Sequence, residues 1–144
     1  MRLQSSAANC GPTALTNAAC AMGKRLSLEE CEKICRTTAT DGTSPRKLKN
    51  GAGRLGFEDI IEFRDGAEDI ALLRLRDFVG NGSAVLITVD ADTHWVAVVG
   101  LIGDRFLVAD SADNELVLSY SAGEMLQRWR NPESKKCYYG MVIA

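Results

Sequence analysis

The feature that most constrains the fold is a change of character at Ala84. Before it the chain is punctuated by helix-start and helix-stop residues, and after it come short runs rich in β-branched residues. Following Cys10, small and helix-tolerant residues continue to Met22, with Pro12 acceptable only in a first turn and Gly23 as a stop. This predicts a helix over residues 10–22 with Cys10 at its N-terminal edge. A second helix starts at Ser27, with Glu30 as its reciprocal cap partner, and runs to about Arg36. Ser44-Pro45 announces a third, with Leu48, Ala52 and Leu55 at helical spacing and Gly56 as the stop. Phe57 to Phe63 alternates like a strand. Ala67 to Val79 reads as a fourth helix whose apolar stripe is Ile70, Leu73 and Val79, widened by Leu72 and Leu75 and ended by Gly80-Asn81-Gly82.

Beyond that point strands are expected at Ala84 to Val89, His94 to Leu101, Arg105 to Ala109, Leu116 to Ser119 and Tyr138 to Ile143, with Gly103-Asp104 as a hairpin turn. A helix at about Ala122 to Trp129 interrupts them behind Ser121, with Glu124 as cap partner. Helices first and mostly antiparallel strands afterwards give an α+β class. At 144 residues without repeat, low-complexity tract or linker, residues 1–144 are expected to form one domain.

Several function classes drop out on composition. With 46% hydrophobic and 25% charged residues the chain sits in the soluble globular range. A net charge of −2 with scattered Lys and Arg offers no phosphate-neutralising footprint, so nucleic acid is not an expected partner. The N-terminus lacks the apolar core of a secretory signal and no run approaches a membrane span; a soluble, cytoplasmic protein is expected. The sequon Asn81-Gly82-Ser83 carries no weight without a secretory route. Five cysteines, at 10, 20, 31, 35 and 137, cannot all pair within one chain and suit a reducing compartment.

Chemistry is restricted further by there being one histidine. Any mechanism that needs imidazole must use His94, and a zinc site of several histidines is excluded. No metal or organic cofactor is expected. Cys31 and Cys35, four apart on the second helix, read as a buried core pair. Cys10 differs because it opens a helix, where backbone N–H groups and the positive end of the dipole favour a thiolate. Gln4, six positions earlier, has a side-chain N–H that, with the Cys10 backbone N–H, suits an oxygen turning negative in acyl transfer. Taken alone, a Cys before Gly-Pro is first the mark of a structural cysteine at a helix start, a reading that the pairing with Gln4 weakens. His94 stands at a strand end, as either a cleft residue or an exposed one. Asp110, 16 positions on, ends the neighbouring strand, where a carboxylate can hold the imidazole's tautomer or simply initiate the turn at Ser111 to Asn114. Asp92 and Asn114 are rival orienting groups.

These residues stand in a pattern that resembles the C39 family of papain-like cysteine peptidases, which process bacteriocins and other peptides with double-glycine leaders. The resemblance runs through Leu3-Gln4, Asn9-Cys10-Gly11-Pro12-Thr13-Ala14-Leu15, Asp41-Gly42-Thr43-Ser44, Leu48 and Leu55-Gly56-Phe57. It continues in His94-Trp95-Val96-Ala97-Val98-Val99, Phe106-Leu107-Val108-Ala109-Asp110, Ser121 to Trp129 and Gly140. It implies a papain-like fold whose N-terminal helical half carries the cysteine and whose C-terminal antiparallel sheet carries the histidine and aspartate. It further implies Cys10 as nucleophile, His94 as base, Asp110 as orienter, Gln4 as oxyanion donor, and cleavage after Gly-Gly in a leader or precursor peptide. Many members form the N-terminal part of an ABC transporter, so a transporter or secretion component is an implied partner beside the peptide substrate. One departure is Ser111, where members usually carry proline. A peptide-binding module that does not cut, and another acyl-transfer enzyme on the same fold (amidase, transglutaminase-like or isopeptidase), are the alternative readings.

Overall fold

A computed structural model describes residues 1–37, 42–133 and 137–144. Its sheet has six strands: β1 (Ile60–Asp65), β2 (Ala84–Val89), β3 (His94–Ile102), β4 (Arg105–Ala109), β5 (Val117–Tyr120) and β6 (Tyr138–Ile143). They lie in the order β1-β6-β2-β3-β4-β5, every neighbouring pair antiparallel. The helices are α1 (Cys10–Ala21), α2 (Leu28–Ile34), α3 (Pro45–Arg54), α4 (Glu68–Gly80) and α5 (Ala122–Trp129), with a 3₁₀ turn at Ala7–Asn9 before α1.

Both faces of the sheet are covered, and this explains why the strands read as near-continuous apolar runs rather than alternating ones. Leu86, Trp95, Ala97, Tyr139 and Met141 point into one core with Ala14, Leu15 and Ala18 of α1 and Leu48 and Ala52 of α3. Their alternate neighbours Val85, Ile87, Val96, Val98 and Val142 point into the other, with Ala71 and Leu75 of α4 and Met125 and Trp129 of α5. Gly140 of β6 is required by close approach, because the ring of Phe63 occupies the place of its Cβ. The α+β layout therefore holds, with β1 the one strand that the helical half contributes.

Cap chemistry sets most helix boundaries. Ser44 accepts from the Lys47 N–H ahead of Pro45, and Ser121 and Glu124 form the reciprocal box at α5. At α2 the Ser27 hydroxyl caps the Glu30 N–H as expected but donates to Glu29 rather than pairing with the Glu30 carboxylate, and the helix ends at Ile34, short of Arg36. The strand expected at 57–63 lies at Ile60–Asp65, because Phe57 is drawn into the core beside α3. The expected α4 stripe is also corrected. Ala71, Leu75 and Val79 are its buried positions, while Ile70 and Leu73 are 47% and 60% exposed. Small Ala71 lets the helix sit close to the sheet, which turns the face away from the two larger residues. Asp41, part of the segment ahead of Gly42, lies outside the described residues.

Candidate active site

The first turn of α1 is wedged against the sheet. A Cβ on Gly11 would lie 2.8 Å from Thr43 Cβ and 3.3 Å from Trp95 Cδ1, and the Trp95 indole donates to the Thr43 carbonyl at 2.8 Å. Only glycine allows that approach, and the approach places Cys10 beside the start of β3. On its other side, buried Asn9 donates to Ser5 at 2.8 Å and to Glu32 of α2 at 2.9 Å, which anchors the turn entering the helix.

Burial alone raises a thiol's pKa. It pushes Cys35 up to about 12 and Cys31 upward as well. Cys10 is just as enclosed, 5% exposed, yet moves the other way. Burial is opposed there by the His94 side chain and by the backbone N–H groups of Trp95 and Gly11, which together leave the thiol below its ordinary value. Among the described residues Cys10, Cys20, Cys31 and Cys35 are free thiols.

His94 opens β3, and its Nε2–H donates to Asp110 Oδ1 at 2.7 Å. The ring also interacts with the Cys10 side chain. Burial disfavours the imidazolium, but Asp110 and then Cys10 outweigh it and raise His94 to about 9. Asp110 follows β4 and is 3% exposed. The register pairing Ala97 with Ala109 brings it to the same end of the sheet as His94. Its carboxylate accepts from the Ala112 N–H at 3.0 Å on Oδ1 and from Arg128 Nη1 at 2.6 Å on Oδ2. Against the cost of burial, His94, Arg128 and the Ala112 N–H hold it well below the usual carboxylate range.

Gln4 lies beside the residue that follows Asp110. Its backbone N–H donates to the Ser111 carbonyl at 3.0 Å, its Oε1 accepts from the Ser111 hydroxyl at 2.7 Å, and its Nε2 donates to the Ser6 carbonyl at 2.9 Å. Among the described residues its hydrogen bonds run to Ser6 and Ser111 and not to Cys10. Asp92 is engaged elsewhere, with Thr88 and Asn131, each at 2.6 Å. Asn114 lines a shallow depression with Gln4, Ser111 and Ala112. The structure thus brings Cys10, His94 and Asp110 into one line and sets Gln4 next to it. Two contributors were not singled out from the sequence: Ser111, seen only as a departure from proline, and Arg128, which carries no signal because its partners lie 18 and 38 positions away.

Among the described residues, no cluster of three or more His, Cys, Asp or Glu side chains is placed to hold a metal ion, and no helix is long and apolar enough to cross a membrane.

The fold is that of papain-like peptidase domains. Over 99% of this chain and 96% of its own, the peptidase domain of Streptococcus ComA, a bifunctional ABC transporter involved in a quorum-sensing pathway, matches with a TM-score of 0.76 at 17% identity. A double-glycine-motif protease from an AMS/PCAT transporter, solved with the leader peptide, matches over 98% of this chain and 88% of that one, with a TM-score of 0.73 at 16% identity. A C39-like peptidase candidate from Bacillus anthracis matches over 95% and 88%, with a TM-score of 0.65 at 11% identity. No family model and no curated protein matches the sequence.

Proposed function

We propose that the protein is a cysteine peptidase. Cys10 is its nucleophile, His94 its general base and acid, Asp110 the group that orients His94, and Gln4 with the Cys10 N–H the oxyanion donors. The observation that carries this reading is the line of contacts from the Cys10 sulfur through His94 to Asp110 at one end of the sheet. Three buried cysteines share one fold, and only the one facing the histidine is pushed toward the thiolate.

In this reading the Cys10 thiol proton passes to His94 Nδ1, the thiolate attacks a peptide carbonyl and the electron pair of the C=O moves onto oxygen. The Cys10 N–H and the second amide hydrogen of Gln4, the one not given to Ser6, stabilise that oxyanion. His94 then gives its Nδ1 proton to the leaving amine, and water, deprotonated by the same nitrogen, releases the acyl group. Throughout, Asp110 keeps the proton on Nε2.

The substrate we propose is a leader or precursor peptide cut after Gly-Gly, with an ABC transporter or secretion component as partner. A double-glycine-motif protease solved with the leader peptide shares this fold over 98% of the chain, which supports that substrate class. The test is alkylation of Cys10 by iodoacetamide as a function of pH, mapped by peptide, in wild type and His94→Ala, followed by hydrolysis of Gly-Gly peptides. Reaction well below the pH of an ordinary thiol that disappears without His94 is the expected result. Reactivity equal to that of Cys20 and indifferent to His94 removes the catalytic reading.

A further inference from the structure

We propose that Arg128 is the positioning residue of this site: one guanidinium fixes both the carboxylate that orients His94 and the turn that carries His94. The inference rests on the peptidase reading above. Arg128 lies on α5, and its side chain is 23% exposed. Its Nη1 reaches Asp110 Oδ2 at 2.6 Å and the Tyr120 hydroxyl at 3.0 Å. On the other side Nε and Nη2 take both oxygens of Asp90, at 3.3 and 3.1 Å, in the planar fork that arginine alone supplies.

What the fork grips is unusual backbone. Asp90, Ala91 and Asp92 have φ of 54, 59 and 63°, three consecutive residues other than glycine in the left-handed region, where a Cβ crowds the following carbonyl. Such a run persists only where its surroundings over-determine it. Here the Asp90 N–H also donates to the Arg128 carbonyl at 3.2 Å, and the Thr93 hydroxyl closes back on the Asp90 carbonyl at 2.7 Å. The next residue is His94. The imidazole therefore follows directly on a strained turn that α5 grips at Asp90 and that Thr88 and Asn131 hold at Asp92.

The same guanidinium occupies Asp110 Oδ2, so the carboxylate cannot rotate and must present Oδ1 to His94. The charged and titratable groups in direct contact are Asp90 of the turn, Asp110 after β4 and Tyr120 of β5 around Arg128, and Cys10 of α1 across the imidazole. With Arg128 gone, Asp90 and Asp110 lose their shared cation, the turn relaxes, and the imidazolium no longer faces the sulfur in one geometry.

The experiment compares the pH profile of Cys10 alkylation in wild type, Arg128→Met, Arg128→Lys, Asp90→Asn and His94→Ala, each checked for folding by circular dichroism. Arg128→Met is expected to move the midpoint up by about one unit, which is about a tenfold slower reaction at any pH well below the wild-type midpoint. Arg128→Lys keeps the charge without the fork and is expected to recover only part of that loss. Asp90→Asn, which weakens the fork and spares Asp110, is expected to move the midpoint by less. A folded Arg128→Met whose profile superimposes on wild type, while His94→Ala abolishes the low-pH reactivity, overturns the role of Arg128 and leaves the peptidase reading standing. Should Arg128→Met fail to fold, unshifted profiles in both Arg128→Lys and Asp90→Asn overturn it equally. A wild-type profile that His94→Ala does not change removes the peptidase reading itself, and this inference with it.

Discussion

The sheet side of the cleft and its N-terminal side hold their groups in different ways. On the sheet side His94 and Asp110 sit at strand ends, mostly enclosed, and Asp110 is engaged by a ring nitrogen, a guanidinium and a backbone N–H. Gln4, docked on Ser111 beside them, belongs to a segment in which Leu3, Ser5 and Ser6 are exposed. Asn9 holds Ser5 and Ser6 from the start of α1, and two further anchors hold Arg2 and Gln4. Buried Asn17 of α1 exchanges hydrogen bonds with the Arg2 backbone at 2.7 and 3.0 Å, and Ser111 takes both the backbone and the side chain of Gln4. The pair proposed to transfer the proton is thus part of the packed fold, whereas the amide proposed to meet the oxyanion hangs from its edge. Segments with few buried contacts open locally at low free-energy cost, so oxyanion stabilisation can fail while the thiolate pair stays intact.

Alkylation separates the two sides, because transferring a carbon to the sulfur forms no oxyanion. The largest effect is expected at Asp110→Asn, which removes the charge behind His94 and leaves Arg128 with Asp90 as its one carboxylate partner among those described. Hydrolysis should fall on the order of 10²–10⁴-fold, and the alkylation midpoint should rise with it. Loss of hydrolysis with an unmoved midpoint would show that the carboxylate acts on something other than the imidazole.

Gln4→Ala comes next. Removing one oxyanion donor costs roughly 10²–10³ in kcat, while the alkylation profile should match wild type. If alkylation slows as well, the two sides are coupled and the contrast between them collapses.

The pH dependence of hydrolysis sharpens the sheet side further. Cys10 has its pKa lowered, so the acid limb should lie below the pH of an ordinary thiol. His94 is raised to about 9, so the imidazolium needed by the leaving amine is present below that pH and lost above it, and the alkaline limb should fall near 9. The same sign governs stability. The contribution of the raised His94 is complete below its unfolded value and disappears as pH climbs through about 9, whereas that of the depressed Asp110 is lost on the acid side. A single limb near the ordinary thiol value would show that no thiolate–imidazolium pair forms.

How much of this was legible in the sequence follows from the range over which each signal acts. Caps are local, so Ser44, Ser121 and Glu124 marked their helices to the residue. The β-branched runs were legible because they are buried on both faces. In the site, a single histidine and a cysteine opening a helix narrowed the choice, and the strand after His94 supplied the carboxylate. The α4 stripe was misread because apolar size was taken for burial, whereas Ala71 sits against the sheet and Leu73 faces outward. Arg128 escaped because its meaning lies in partners that only the closed sheet assembles: Asp90 before β3, Asp110 after β4 and Tyr120 at the end of β5.

Ser111 tests the weaker side with the smallest expected effect. Proline, the residue the resemblance leads one to expect there, has no hydroxyl. Here the Ser111 O–H points at Gln4 Oε1 from a position 2% exposed, and so decides which end of the Gln4 amide faces away from it. Ser111→Ala removes that donor but leaves the backbone bond from the Gln4 N–H to the residue 111 carbonyl, so the segment stays docked while its amide becomes free to turn. A neutral hydrogen bond of this kind contributes about 0.5–1.5 kcal/mol, which corresponds to roughly a two- to tenfold fall in kcat with alkylation untouched. Because Gln4→Ala already lacks the amide, adding Ser111→Ala to it should change nothing more, and the double mutant should match the single one. A further loss in that double mutant would mean that Ser111 acts through Asp110, its neighbour in the chain, and would place it on the sheet side of the cleft instead.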